Sequence, residues 1–121
     1  MKPKKKKKKV SGLLPVTRSV RLLHELGWIA DIAERKMGVL SRDWCNFADI
    51  VAVKKSERAA HPRVLLVQAT GWTNVSSRLK KVRESEAALE CLMAGCEIQV
   101  WAWDRHKVDP RIEHVTLEDF D

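Results

Sequence analysis

Arg63–Thr70 (RVLLVQAT) constrains this chain more than any other stretch. Its run is nearly all apolar, which suits a central strand covered on both faces, so other elements must supply a layer on each side of it. The next segments keep to that plan. Asn74 or Ser76 can cap a helix that carries Val75, Leu79 and Val82 on one side, and Ser85 opens a second helical stretch that Gly95 ends. Glu97–Trp103 (EIQVWAW) then reads as another strand, with Ile98, Val100 and Ala102 on one face. A helical segment between two apolar strands predicts a crossover and a parallel pair.

Upstream, Val16, Val20, Leu23 and Leu26 fall at helical spacing, with Pro15 or Thr17 at the start and Gly27 as a left-handed stop. Trp28–Arg35 and Asn46–Val53 read as strands, with a loop or hairpin turn over Lys36–Cys45 and a charged loop over Lys54–Pro62. These short connections predict antiparallel pairs, and Arg111–Leu117 adds an edge strand. The expected fold is α/β, a central mixed β-sheet flanked by helices.

Charge divides the chain. The net charge is +7, from 23 basic and 16 acidic residues, but seven lysines (Lys2 and Lys4–Lys9) lie in the first nine positions. The remaining 16 basic residues balance the 16 acids. We therefore expect a disordered basic tail over 1–14 and a single domain over 15–121. Lys4, Lys5, Lys6, Lys7, Lys8 and Lys9 would attract a polyanion in a salt-sensitive, sequence-blind way; a tail that only aids solubility is the competing reading. No apolar run has a membrane-span length, and Ser11, Gly12 and Pro15 interrupt any secretory signal core. The expectation is a cytoplasmic, non-secreted protein with no membrane partner. Cys45, Cys91 and Cys96 are an odd number without a C-x-x-C pair, which fits a reducing compartment and speaks against zinc.

Chemistry concentrates on the two middle strands. Side chains two apart share a strand face, which puts Gln68 with Thr70, and Asp49 with Phe47 and Val51. Polar groups within apolar strands are costly unless hydrogen-bonded or bound to something. They could converge on one site. Equally, Asp49 could cap a turn while Gln68 satisfies buried backbone groups. Arg78, Lys80, Lys81 and Arg83 form a basic cluster on the following helix, read either as a phosphate-binding surface or as a solvated face. Trp101 and Trp103 share a strand face and read as core or as a partner or base-stacking surface.

Leu26-Gly27-Trp28, Ala48-Asp49-Ile50-Val51-Ala52 and Leu66-Val67-Gln68-Ala69-Thr70 together resemble the PD-(D/E)XK nuclease superfamily, in particular its small Holliday-junction-resolvase-like phage and bacterial members. The resemblance runs from Val16 to Trp103. It implies a restriction-endonuclease-like core and a Mg²⁺-dependent DNA endonuclease, with Mn²⁺ as a substitute, acting on branched DNA as a possible homodimer in a bacterial or phage-infected cell. Asp49 would be the metal-binding acid. Gln68 stands where the family has a second carboxylate, and Thr70 where it has a lysine. Asp43 or Glu34 could repair the first loss, and Lys80, ahead of Lys81, the second. The resemblance also leaves room for a nuclease-fold DNA-binding module with impaired catalysis, or for a protein-partner module using the Trp101/Trp103 face.

Overall fold

The computed structural model describes residues 14–33, 35–37, 40–56 and 62–120. The Lys4–Lys9 tail and Glu34 lie outside the described residues. Helix α1 (Pro15–Glu25) starts with proline in its first turn, where the missing N–H is no loss. It ends at Gly27, whose φ of +93° is the left-handed conformation expected there. The chain turns sharply, Trp28 N–H reaching back to the Leu23 carbonyl.

A five-stranded sheet follows, assembled from β1 (Ile29–Ile32), β4 (Ile50–Lys54), β5 (Arg63–Gly71), β6 (Glu97–Trp103) and β7 (Arg111–Val115) in that spatial order. The pairs β1/β4, β4/β5 and β6/β7 are antiparallel; β5/β6 is parallel, in register from Leu65 opposite Glu97 to Gly71 opposite Trp103. The expected central strand is therefore central. Between the parallel strands come a 3-10 turn (Trp72–Asn74), α2 (Val75–Arg83) and α3 (Glu86–Met93). Ser85 separates the helices because its Oγ accepts the Ala88 N–H, a cap that starts a new helix.

Alternation along β5 and β6 sorts the core into two layers. Leu66, Ile98, Val100 and Ala102 pack beneath Val75, Leu79 and Val82 of α2 and Ala88 of α3. Leu65, Val67, Ala69, Trp101 and Trp103 pack on the opposite face beneath Leu23 of α1. The Trp101/Trp103 face is consequently no partner surface. These side chains are 2% and 6% exposed, because α1 covers them and Ser19 of that helix accepts the Trp103 Nε1–H at 2.8 Å.

Two local expectations are corrected. The segment after β1 forms a small antiparallel hairpin, β2 (Arg35–Met37) with β3 (Leu40–Arg42), rather than continuing β1 to Arg35. The strand expected from Asn46 begins only at Ile50. Cys45 and Asn46 have φ of +50° and +65°, and an isolated bridge between Trp44 and Ala48 closes a tight turn around them. Asparagine tolerates this conformation better than most residues, so apolar pattern loses to turn chemistry here. All three cysteines are free thiols, and among the described residues no helix is long and apolar enough to cross a membrane.

Candidate functional site

The Trp44–Ala48 turn sets two carboxyls side by side, Asp43 entering it and Asp49 leaving it. Asn46 N–H donates to the Asp43 carbonyl at 3.0 Å, and Asp49 N–H to the Val67 carbonyl at 2.8 Å, which ties the turn's exit to β5. Where regular pairing with β4 has stopped, the Asp49 side chain takes over as acceptor: its Oδ2 receives the Ala69 N–H at 2.8 Å. The same oxygen accepts from Gln68 Nε2. Asp49 therefore does close the strand end, and it also joins a polar cluster.

Gln68 is 2% exposed and sits on the α2 side of β5. Its amide does not satisfy backbone groups. One end donates to Asp49; the other, Oε1, is buried with no hydrogen-bond partner among the described residues. Leaving such a carbonyl unpaired costs about 1–3 kcal/mol. Asp43 lies beside Asp49 and Gln68 and receives Lys81 Nζ on its Oδ2 at 3.1 Å.

Burial and then the Asp43 carboxylate beside it push the Asp49 carboxyl up to about 7, against the downward pull of the Ala69 N–H and Gln68. Partial burial also works to raise Asp43, but hydrogen bonds from Asp49 and Lys81 and the lysine charge outweigh it and bring Asp43 below the ordinary carboxylate range. Below about pH 7 the pair therefore keeps one proton, on the Asp49 side, in the manner of two neighbouring carboxyls that disfavour each other's ionisation. Beside it lies an open cleft of about 250 Å³ lined by Arg42, Asp43, Asn46 and Lys81. Arg42 Nε is fixed by Asn46 Oδ1 at 3.1 Å.

Of the residues nominated from sequence, Asp43, Asp49 and Gln68 come together. Thr70 is buried one pleat further along the same face of β5, 4% exposed. The lysine that reaches the acids is Lys81, not Lys80, which is exposed to solvent. Val75, Leu79 and Val82 turn towards the sheet, so the two adjacent lysines leave opposite flanks of α2, 100° apart. The basic cluster is also not one free surface. Arg83 pairs with Asp119 at 3.3 Å, Lys81 with Asp43, and Arg78 keeps a buried Nε without a partner among the described residues. Sequence reasoning missed Asn46, whose only signal was its place three residues after Asp43, and took from Arg42-Asp43 the acid alone.

Comparison with protein families, curated proteins and solved structures returned no match.

Proposed function

We propose that this chain is a Mg²⁺-dependent DNA endonuclease of the PD-(D/E)XK type. The observation that carries the reading is the buried Gln68 Oε1, without a partner among the described residues, beside two neighbouring carboxyls of which Asp49 is pushed up to about 7. A hard divalent cation takes oxygen ligands, and its charge would replace the Asp49 proton. The residues present fit such an ion: Asp43, Asp49 and Gln68 would hold it, with Mn²⁺ able to stand in for Mg²⁺. Bound there, the metal would activate water and offset charge building on the phosphate.

The chain's own side chains do the rest. Lys81 keeps Asp43 ionised and sets a cation at the edge of the cleft, the function that Thr70 cannot supply. Arg42 lines the same cleft and can hold a non-bridging phosphate oxygen. Lys80 and the Lys4–Lys9 tail add non-specific attraction to the DNA backbone. The sequence order of an antiparallel strand series, helices and a parallel strand, with Asp49 and Gln68 on neighbouring strands, supports the restriction-endonuclease-like core that the motifs resemble. Symmetrical branched DNA would call for two copies of the chain.

The test is incubation with supercoiled, linear and four-way-junction DNA in Mg²⁺ or Mn²⁺. Cleavage should depend on metal and vanish in Asp49→Ala; equal behaviour of that variant and wild type overturns the reading. A module that binds DNA without cutting it is the second reading, favoured by the neutral Gln68 and by a Lys81 already paired with Asp43. It predicts binding that survives EDTA with no product formed.

A further inference from the structure

Three of the five tryptophans, Trp28, Trp101 and Trp103, are core. The other two are not: Trp44 is 39% exposed and Trp72 40%. Large aromatic side chains usually gain far more burial than this. Both exposed rings lie along the chain beside the acid cluster. Trp44 follows Asp43 directly, and Trp72 stands two positions beyond Thr70, in the 3-10 turn that leaves β5.

Trp72 is furnished with cations. Lys107 Nζ lies 5.7 Å and the Arg111 guanidinium carbon 5.4 Å from its ring centroid. Both come from the far side of the parallel pair, Lys107 from the β6–β7 connection and Arg111 from the first position of β7. The connection is anchored rather than loose. Arg18 of α1 stacks on Trp103 at 4.2 Å and donates to the carbonyls of Asp104 at 3.3 Å and Lys107 at 2.8 Å. Arg111 is also paired with Glu113 at 2.6 Å, which leaves Lys107 as the cation with more charge to offer. A partly exposed indole with positive charge held over its ring suits a ligand that combines a flat π-face with an anionic backbone. A nucleotide has both, and base stacking on such rings is tolerant of sequence.

We infer that Trp72, Lys107 and Arg111 form a stacking site for an unpaired nucleobase, so that the chain selects DNA with unpaired bases next to the reacting phosphate. In continuous duplex each base face is covered by its neighbours, and Trp72 has nothing to stack on. Branch points, gaps and flaps expose one. The binding half of this inference stands on Trp72 itself; only its link to cleavage rests on the nuclease reading.

Binding of the full chain to labelled oligo-dT and to a blunt duplex of equal length, in EDTA at physiological salt, tests the two parts separately. The expected result is tighter binding to oligo-dT, weakened about 10- to 100-fold by Trp72→Ala and largely retained by Trp72→Phe. Lys107→Glu should weaken it as well and reduce its salt dependence, which serves if Trp72→Ala fails to fold. Equal affinity for oligo-dT and duplex, or loss-free binding by Lys107→Glu and Trp72→Ala, overturns the inference. Selective binding without any cleavage would refute the nuclease reading alone; cleavage of junction and duplex at equal rates by wild type and Trp72→Phe,Lys107→Glu would refute this inference alone.

Discussion

Gln68 donates through Nε2 to the Oδ2 of Asp49, and in doing so leaves its own Oε1 buried without a partner among the described residues. A carboxylate in place of this amide would lose the donor and add a third negative charge to two acids that are already largely ionised at pH 8, above the Asp49 value of about 7. Gln68→Glu should therefore destabilise the metal-free protein at pH 8 by about 1–3 kcal/mol. Mg²⁺ should return more stability to this variant than it gives to wild type, because the added charge strengthens the site for a hard cation. Urea unfolding with EDTA and with Mg²⁺ reads both. A larger Mg²⁺ response in wild type would remove Gln68 from the metal site.

The shared proton gives the metal-free protein an unusual pH profile. Folding moves the Asp49 carboxyl from 3.8 up to about 7, through burial and the neighbouring Asp43. Between those values the folded state holds a proton that the unfolded chain has released. The stabilisation is complete below about pH 4 and is lost as pH rises through 7. Asp43 acts oppositely and only at the acid end, since its lowered carboxyl loses stability as pH falls below the usual carboxylate range. Denaturation midpoints in EDTA should thus decline from pH 4 to pH 7 and then level off, and Asp49→Asn should flatten that decline. A profile rising over the same window contradicts the geometry of the pair.

Lys81 and Lys80 are adjacent in sequence and separated by function. Lys81→Met removes the cation 3.1 Å from Asp43 and should lower DNA cleavage by roughly 100-fold, the scale of losing one charge-stabilising group. Its cost in stability should stay at about 0–1 kcal/mol, since the lysine is partly exposed and the pair solvent-screened. Lys80→Met should change cleavage only a few-fold, through weaker non-specific binding. Single-turnover rates on one junction substrate decide between them, and a reversed order would return the role to Lys80.

The sheet was legible because β5 and β6 announce themselves: apolar runs of strand length, with a capped helical stretch between them, leave little choice but a parallel pair. Asp49 and Gln68 were legible for the same reason, as polar residues in apolar strands. The details that failed are those decided by geometry beyond the pattern. The positive φ of Cys45 and Asn46 makes a turn out of residues that alternate like a strand. The choice of Lys81 over Lys80 depends on which flank of α2 faces the Asp43 turn, a matter of how the helix lies on the sheet. Trp101 and Trp103 carry no mark in sequence that tells a covered face from a free one. The difference comes from α1, which ends at Glu25, well before β5 begins at Arg63, and returns to lie on the far side of the sheet.

That return hinges on a contact between distant parts of the chain. Ser19 donates its hydroxyl to the Pro15 carbonyl at 2.8 Å and accepts the buried Trp103 Nε1–H at 2.8 Å. Ser19→Ala strands the indole N–H in an apolar layer and should destabilise the fold by about 1–3 kcal/mol. Trp103→Phe removes the donor and some packing, so it too is destabilising. Once the donor is gone, however, Ser19→Ala should cost little more. The double variant should therefore be more stable than the sum of the single losses predicts, by about 0.5–1.5 kcal/mol. Urea denaturation of the four proteins measures that coupling. Strict additivity would mean that this bond does not hold α1 to the Trp101/Trp103 face.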